Sequence, residues 1–517
     1  MTQRVNPLMS IRIHSIDLRV HNMHVRMPFR YGIVTLMSVP HLFMEAQVDV
    51  DGKRQRGISS DHLPPKWFTK NPNSPIRDDI AEMIEVIRSA SGLASRVGEQ
   101  GSVFELWLAL YQAQKDWAKG RSYPPLLWNF GVSLVERAII DAFCHSHGIT
   151  FGAALRENRL GVDLGRMYRE LAPGALAQWA RATNSPAGTA TNREPCPLYG
   201  PFSAPLRSII ARHTVGLVDP LTRDEIAAAD QVNDGLPQAL VDVIRTYGIK
   251  HFKIKLAGDP QKDAQRLRRL AEIIESHAPP DYGFTLDGNE NFQDVQPFRQ
   301  LWQSLAADKS LTEFLSRLIF VEQPLHRDVA LSDGVKRAFL EWDDRPPLII
   351  DESDGDLASL PRALECGYIG TSHKNCKGIF KSIANICLIK HLQQESPSDR
   401  YMISGEDLSN VGPVALLEDL AVAANLGIES IERNSQHYFR GLSSYSHEIQ
   451  EQMVRTHGDL YHWQDGPSGR FATATISDGR MSTESVLRAP LGVGIDLNLS
   501  GFKRLEEWTF ESLGQSR

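Results

Sequence analysis

The chain has 517 residues, 42% of them hydrophobic and 23% charged, which is enough to bury a large core and to form two or more domains. The formal net charge of -7, with basic residues scattered along the chain, excludes the concentrated basic surface that binds nucleic acid. The N-terminus lacks the apolar run of a signal peptide and no stretch approaches the roughly 20 apolar residues that cross a bilayer, so we expect a cytoplasmic protein with no membrane partner.

The first third of the chain predicts an α+β domain. Residues 10–58 alternate between apolar and polar side chains, as an antiparallel sheet does, and the pair Asp51-Gly52 suits a hairpin turn. Apolar residues then recur every three to four positions and predict three helices, over residues 77–90, 102–117 and 131–148. A stretch rich in Pro, Gly, Ser, Ala and Thr begins at about residue 184, so we place this domain at residues 1–183.

Residues 184–445 predict a β/α barrel. Short β-branched runs alternate here with helical patterns, which is typical of parallel strands joined by crossover helices. Five of these runs end in a charged residue, at intervals of 32, 35, 29 and 23 residues, near the roughly 31 residues that each unit of an eight-stranded barrel needs. The five residues are Lys255, Asp287, Glu322, Asp351 and Lys374.

Residues 446–517 form a C-terminal segment with strand-like alternation and a turn at Asp478-Gly479, and we expect it to pack back on the first domain. The five cysteines are widely spread and form no C-x-x-C pair, which predicts reduced thiols and neither disulfides nor a zinc site. They are Cys144, Cys196, Cys366, Cys376 and Cys387.

Two lysines lie on the strand HFKIKL, residues 251–256. Because side chains alternate along a strand, Lys253 and Lys255 point to one side while Phe252 and Ile254 point to the other. A K-x-K pair taken alone is more often a solvated edge. The apolar side can face the helices of a barrel, however, which leaves the lysines facing its axis.

Three carboxylates, Asp287, Glu322 and Asp351, end three consecutive strands. Carboxylates gathered at one barrel mouth repel each other unless a cation lies among them. Ligands that are all oxygen favour magnesium, with manganese possible, over zinc. Any one of these acids could equally be a helix N-cap, but three at corresponding positions predict a metal site.

Lys374 ends the strand that follows Asp351. In a closed barrel this position lies across the mouth from Lys255, so the two lysines would flank whatever the metal binds. A surface lysine is the alternative. Near a second lysine and away from water, either amine would have its pKa lowered and could serve as a base.

These motifs resemble the enolase superfamily, and within it the mandelate racemase and muconate lactonizing enzyme branch. FKIKLAGDP, FTLDGNENF, FVEQPL, IIDES and SHKNCKG are similar to five successive barrel strands of that family, and APLGVGIDLN is similar to its C-terminal tail. The resemblance implies an α+β capping domain, a modified TIM barrel of (β/α)7β order and a tail that returns to the capping domain.

The resemblance also implies an activity: magnesium-dependent removal of a proton next to the carboxylate of a small molecule, through a stabilised enediolate. Racemisation, epimerisation or cycloisomerisation would follow. Asp287, Glu322 and Asp351 would bind Mg²⁺, with Glu352 pointing away from the ion. We expect a homo-oligomer.

The lysines receive distinct roles from the same resemblance. Lys255 and Lys374 would be acid/base catalysts on opposite faces of the substrate. Lys253 would help to bind the substrate and lower the pKa of Lys255.

Some residues depart from the family pattern. Members that resemble mandelate racemase carry a histidine on the seventh strand, whereas YMISGEDLSN has Glu406 and Asp407 and no histidine, which favours a lysine-lysine enzyme. Two alternatives stay open. One is a dehydratase of acid sugars or related hydroxy acids, in which Glu406, Asp407 or His437 donates the proton to the leaving group. The other is a non-catalytic binding protein of the same fold.

Substrate choice, by the same resemblance, comes from capping-domain loops over the barrel mouth. The candidate loops are MPFRYGIVTL, with Arg30 and Tyr31, and SSDHLPPKWF, with His62, Lys66 and Trp67, although both are also plausible surface turns. We expect Arg30 or Lys66 to meet an anionic group far from the metal. The predicted substrate-binding residues are Lys253, Arg30, Tyr31, Trp67, Asp407 and His437, and Glu432 on the eighth strand is a further candidate.

Overall fold

The structure is a computed structural model that describes residues 9–172, 204–398 and 400–514. The N-terminal capping domain begins with an antiparallel sheet of β1 (Ile11–Tyr31), β2 (Val34–Val50) and β3 (Lys53–His62). Asp51 and Gly52 make the predicted two-residue turn between β2 and β3, both with positive φ. The sheet that the alternating pattern predicted is confirmed.

Three long helices cover this sheet, as predicted: α1 (Ile76–Ala94), α2 (Val103–Ala118) and α3 (Pro125–His147). A short helix, α4 (Phe151–Arg156), follows. Nearly every residue of α3 is buried, because it lies between the sheet and the rest of the molecule. Gly57 of β3 permits this contact, since a Cβ there would lie 1.9 Å from the carbonyl oxygen of Ala138.

Eight parallel strands close into a barrel, since the eighth pairs with the first. They are β4 (Ser208–Val215), β5 (His251–Lys255), β6 (Gly283–Asp287), β7 (Leu318–Glu322), β8 (Leu348–Ile350), β9 (Gly370–His373), β10 (Met402–Gly405) and β11 (Ser430–Glu432). The predicted barrel and its parallel order are confirmed. Each charged residue singled out in the sequence lies at or just after the carboxyl end of its strand, where barrels place their sites.

Helices connect these strands on the outside. Their bounds in the described residues are α5 (Leu240–Tyr247), α6 (Pro260–His277), α7 (Val295–Ala307), α8 (Thr312–Ser316), α9 (Arg327–Ala330), α10 (Asp333–Leu340), α11 (Ser359–Cys366), α12 (Ile379–Glu395), α13 (Ala415–Leu426), α14 (Ser435–Tyr438) and α15 (His447–Thr456). The proline-rich stretch that we expected to separate the domains at residue 183 lies outside the described residues.

The C-terminal tail divides its contacts between the two domains. β12 (Tyr461–Gln464) and β13 (Phe471–Ala474) form a separate antiparallel pair, and β14 (Arg480–Ser482) adds antiparallel to β4 of the barrel. β15 (Lys503–Arg504) pairs with β1. The tail therefore returns to the capping domain, as expected, but one of its strands joins the barrel on the way.

Buried ion pairs join the two domains. Arg137 of α3 binds Asp61 of β3 and, at 3.0 Å, Glu418 of α13, and all three side chains are fully buried. Arg26 of β1 forms a two-pronged ion pair with Asp234, with distances of 2.5 and 2.8 Å. Such buried, fully paired charges resist separation, so the capping domain has a defined position over the barrel mouth.

Two other expectations can be compared with the described part of the chain. No helix there is long and apolar enough to span a membrane. Four cysteines are buried in the described part of the chain, whereas the fifth, Cys196, lies outside it. The four are Cys144, Cys366, Cys376 and Cys387.

Candidate active site

Lys253 and Lys255 lie on β5 and both are buried inside the barrel, so they share a face of the strand as the alternation predicted. Lys255 pairs with Asp287, its neighbour in register on the adjacent strand β6. Lys253 is surrounded by carboxylates: its Nζ lies 3.0 Å from Glu322 Oε1, 2.5 Å from Glu406 Oε2, 3.0 Å from Glu432 Oε2 and 3.1 Å from Asp287 Oδ2. Two lysines separated by one residue thus have different surroundings.

The three predicted metal ligands follow each other around the barrel mouth and all are buried. Asp287 and Glu322 are paired in register across β6 and β7, and Asp351 comes directly after β8. Asp351 is the most tightly held of the three. Its Oδ1 accepts hydrogen bonds from Ser372 Oγ at 2.5 Å and Lys377 Nζ at 2.8 Å, and its Oδ2 lies 2.8 Å from Lys374 Nζ.

Lys255 and Lys374 lie on opposite sides of the mouth. Their strands, β5 and β9, are four strands apart in either direction around the closed ring of eight. Between them on one side lie β6, β7 and β8, which carry the three carboxylates. A small molecule held by that arc of acids would have one lysine on each flank.

The three side chains offer the kind of ligands that a hard divalent cation takes, because their donors are oxygens only. Glu322 Oε2 is buried without a hydrogen bond of good geometry, and its neighbour is Lys253 Nζ at 2.9 Å. Within the part of the chain that the structure describes, however, no group of three or more His, Cys, Asp or Glu side chains is arranged to hold a metal ion. Lys253, Lys255 and Lys374 form ion pairs with these carboxylates instead.

The lysine electrostatics differ from our expectation. Burial opposes the charged form of Lys253, but the attraction of Asp287, Glu322, Glu406 and Glu432 outweighs it and raises the pKa of Lys253 well above its usual value. Burial likewise opposes the charged form of Lys374, yet Asp351 raises the pKa of Lys374 above the usual range. The expected lowering was wrong for Lys374, because its amine forms an ion pair with Asp351.

The acids do not all shift in one direction. Burial opposes the charged forms of Asp287 and Asp351, but the adjacent lysines outweigh it and lower the pKa values of both. Two glutamates shift the other way. Burial, reinforced by Glu406, raises the pKa of Glu322 well above its usual value, although Lys253 opposes it. Burial, with Asp351 nearby, raises the pKa of Glu352 to about 7. Glu352 also lines the cavity, and its orientation away from the ion stays a prediction.

One cavity covers this site, with an empty volume of about 560 Å³ including the solvent at its opening. Its floor contains eleven barrel residues with polar or charged side chains: Lys253, Lys255, Asp287, Asn289, Asp351, Glu352, Lys374, Asp407, Ser409, Glu432 and Asn434. Its roof comes from the capping domain and is mainly apolar: Phe29, Tyr31, Leu36, Val39, Pro64 and Trp67, with His62. Lys374 Nζ lies 4.2 Å from the centre of the Trp67 ring, a cation–π contact.

Loop contacts hold this roof in place. Tyr31 donates a hydrogen bond from its hydroxyl to the carbonyl oxygen of Pro65 at 2.9 Å. Arg327 of α9 donates to the carbonyl oxygens of Trp67 at 2.8 Å and Phe68 at 2.7 Å. The same guanidinium binds both oxygens of Glu290.

Most of the predicted site residues meet at this cavity, and three do not face it directly. Tyr31, Trp67 and Asp407 line it, whereas Glu322 lies deeper, against Lys253. Arg30 is exposed and is not among the lining residues, because its neighbours Phe29 and Tyr31 take the inward positions on β1. His437 also lies away from the cavity, buried with its ring 4.9 Å from that of His213.

Lys66 is the other side chain that we expected to meet an anionic group. Its Nζ donates instead to the carbonyl oxygen of Asn71 at 2.9 Å and to Ser74 Oγ at 2.6 Å, and it lies 3.1 Å from Asp79 Oδ2. Lys66 therefore stabilises its own loop, and the expectation was wrong.

Two glutamates that the sequence left without a definite role, Glu406 and Glu432, both bind Lys253 inside the barrel. Glu406, after β10, bridges Lys253 and Arg212, and burial raises the pKa of Glu406 to about 7 against the opposing charges of these two residues. Glu432, at the end of β11, binds Lys253 and accepts a hydrogen bond from Thr214. Both are charged residues at strand ends, the same signal that identified the three other acids.

No known protein-family model and no curated protein sequence matches the chain. Solved structures do match it in fold. A muconate lactonizing enzyme from Pseudomonas fluorescens, complexed with muconolactone, has 14% sequence identity and a TM-score of 0.56 over 95% of this chain and 99% of its own. A mandelate racemase/muconate lactonizing protein from Herpetosiphon aurantiacus has 14% identity and a TM-score of 0.54 over 94% and 99%. An N-succinyl Arg/Lys racemase from Bacillus cereus has 13% identity and a TM-score of 0.51 over 92% and 97%.

The chain has the fold of the mandelate racemase and muconate lactonizing enzyme branch of the enolase superfamily. Within this enolase-superfamily fold, the single glycine after Lys377 has a clear structural role. Gly378 adopts a φ of +101°, which favours glycine, and a Cβ there would lie 3.0 Å from Glu136 Oε2. The next residue, Ile379, begins α12 and donates its N–H to Glu136 Oε2 at 3.0 Å. Glu136 of the capping domain therefore caps the N-terminus of α12.

Proposed function

We propose that the protein is a magnesium-dependent enzyme that removes and returns a proton next to the carboxylate of a small molecule, and so catalyses racemisation, epimerisation or cycloisomerisation. The observation that carries this proposal is the arrangement around one cavity. Lys255 and Lys374 lie on opposite strands, and the three carboxylate strands lie between them. A binding scaffold has no need to bury two lysines and three acids around one cavity, because each buried charge costs desolvation energy.

Asp287, Glu322 and Asp351 would hold the Mg²⁺ ion. When bound, such an ion supplies positive charge that stabilises the negative charge developing on the carboxylate oxygens of the substrate. Lys253 adds a fixed positive charge at the base of the same site, since four carboxylates surround it.

Lys255 and Lys374 would move the proton. Lys374, held as an ammonium ion by Asp351 and covered by Trp67, is suited to give a proton to one face of the substrate. Lys255 reaches the opposite face and would take the proton there. In the reverse direction the two lysines exchange roles.

A lyase outcome is the second candidate, and Asp407 favours it. This carboxyl group lines the cavity, and burial raises the pKa of Asp407 to about 6, although Arg433 opposes the shift. A protonated Asp407 could deliver a proton to a leaving group. Of the other two proposed donors, His437 lies away from the cavity, and Glu406 is bound to Lys253 and Arg212.

The test is exchange of the proton next to the carboxylate with deuterated water, followed by NMR on both enantiomers of a panel of small carboxylates, with Mg²⁺ and after chelation. We expect Lys255→Ala and Lys374→Ala each to reduce turnover about 10²-fold or more, the usual contribution of a general base. Each single variant should still exchange one enantiomer, because the remaining lysine reaches one face. Loss of water or another group from the substrate would identify the lyase.

Lys250→Ala is the matched control, since Lys250 precedes β5 and pairs with the exposed Asp281 outside the cavity. A double variant of Lys255 and Lys374 that still exchanges, or single variants that treat both enantiomers alike, would contradict the assignment. Exchange that persists after complete chelation would contradict the magnesium requirement.

A further inference from the structure

His62 is a buried polar residue that faces the same cavity. It ends β3, only 1% of its surface is exposed, and neither ring nitrogen makes a hydrogen bond. The backbone of Leu408 and Ser409 lies near the ring and favours its charged form without completing a bond of good geometry. A buried polar group left without a partner costs about 1–3 kcal/mol, so the ring is expected to meet a partner in the cavity.

The neighbouring His41, by contrast, has a hydrogen-bond partner at each ring nitrogen. Its Nδ1 lies 2.7 Å from the hydroxyl oxygen of Tyr445, and its Nε2 lies 3.0 Å from Ser60 Oγ. The two rings are 4.4 Å apart and perpendicular. Only the ring of His62 faces the cavity, so only His62 can bind a molecule there.

The rest of the roof carries no charge. The other capping-domain residues that line the cavity are Phe29, Tyr31, Leu36, Val39, Pro64 and Trp67. The hydroxyl hydrogen of Tyr31 is already donated to Pro65, Arg30 is exposed, and Lys66 is bound within its own loop. No cation in the described part of the roof is therefore placed to receive an anionic group.

His62 does not supply such a cation either. Burial lowers the pKa of His62 to about 3, so its imidazole is neutral at physiological pH and offers one donor and one acceptor. A second carboxylate buried against this roof would have no counter-charge, which is costly. A neutral hydroxyl, amide or carbonyl group would instead satisfy the ring.

We infer that the substrate is a monocarboxylate whose far end is apolar, uncharged and equipped with one neutral hydrogen-bonding group, which His62 binds. This inference rests on the proposed function, which assigns the carboxylate end to the floor of the cavity. Trp67, Phe29, Leu36 and Val39 contact the apolar part, and His62 determines which polar group is accepted.

Three matched probes test the inference: 4-phenylbutanoate, 4-(4-hydroxyphenyl)butanoate and 4-(4-carboxyphenyl)butanoate. They share one body and differ only in a far-end hydrogen atom, neutral hydroxyl or second carboxylate. Binding is measured by calorimetry and proton exchange by NMR in deuterated water. We expect the hydroxyl probe to bind about 3- to 10-fold more tightly than the unsubstituted one, the worth of one net hydrogen bond, and the dicarboxylate to bind most weakly.

His62→Phe keeps the ring volume and removes the hydrogen bond, so the preference for the hydroxyl probe over the unsubstituted one should fall to about one. His62→Gln retains a donor and an acceptor and should keep part of that preference. If His62→Phe does not fold, the order of the three probes with the wild-type protein still decides. Binding of the dicarboxylate as tight as that of the hydroxyl probe overturns the inference, as does failure of all three to bind.

These outcomes separate the two proposals. Exchange of the dicarboxylate at least as fast as the hydroxyl probe would refute the assignment of the roof and leave the proton-transfer function intact. A binding preference that depends on His62, with no proton exchange of any probe in the presence of Mg²⁺, would support the role assigned to the roof and refute the proposed proton-transfer function.

Discussion

Arg327 is the residue whose removal should open the roof of the cavity. Its guanidinium binds both oxygens of Glu290, at 2.7 and 2.8 Å, and donates to the carbonyl oxygens of Trp67 and Phe68. Arg327 comes from the barrel loop after β7, and Trp67 comes from the capping domain. This single side chain therefore joins the roof to the floor, and Arg327→Met tests that connection.

The contacts give the expected size of the effect. Only 1% of the Glu290 side chain is exposed, and after the substitution its nearest remaining cation is Lys70, whose Nζ lies 3.8 Å away. Removing one partner of a buried ion pair costs about 3–5 kcal/mol, because the other charge stays buried. The double variant Arg327→Met with Glu290→Gln removes that uncompensated charge and should recover a large part of the loss.

Two measurements separate the loop from the rest of the fold. Denaturant unfolding gives the free-energy loss, and hydrogen exchange followed by mass spectrometry reports the opening of residues 63–75. We expect faster exchange in that loop and a higher KM, since Trp67 no longer has a fixed position over Lys374. A loss below about 1 kcal/mol, or unchanged exchange in the loop, would refute the reasoning.

Three further predictions concern the metal, the roof and pH. Asp287→Asn should weaken Mg²⁺ binding measured by calorimetry, and unchanged binding would contradict a metal at this acid. Arg30→Ala should leave KM unchanged and stability within about 0.5 kcal/mol, because the side chain is exposed outside the cavity; a raised KM would restore its predicted role. Burial raises the pKa of Asp141 to about 7, from about 3.9 in the unfolded chain, so the folded state binds more protons and stability falls as pH rises from 6 to 8. This group should account for about 1 kcal/mol of that fall, and Asp141→Asn should remove it in unfolding curves at the two pH values.

The fold could be predicted from the sequence because its signals are local. The turn at Asp51-Gly52 needs two residues that tolerate positive φ, and both are adjacent in the chain. Several barrel strands are short runs with a charged residue at their end, so Asp287 and Glu322 could be placed at strand ends without knowledge of their neighbours. The route of the tail was harder to predict, because β14 is only three residues long and joins β4, about 270 residues earlier in the chain.

The roof could not be predicted in the same way. The register of β1 against β2 shifts between His24 and Phe29, so alternation counted from the start of β1 does not reveal whether Arg30 or Tyr31 points inward. The role of Lys66 depends on Asn71, Ser74 and Asp79 folding back around its amine. Neither feature has a periodic pattern in the sequence, and both decide the charge of the cavity roof.

The two lysines of β5 show why a motif does not determine the electrostatics of its residues. Lys253 precedes Lys255 by two residues on β5 and lies deeper in the barrel. At that level Glu406 and Glu432 also reach the barrel axis. Those two acids come from strands on the far side of β4, and only closure of the barrel brings them to Lys253. Four surrounding carboxylates hold Lys253 as a permanent cation, so it cannot accept a proton. Both lysines line the cavity, and Lys255, which is nearer the mouth and pairs with Asp287, is therefore the one that we propose to exchange a proton with a substrate.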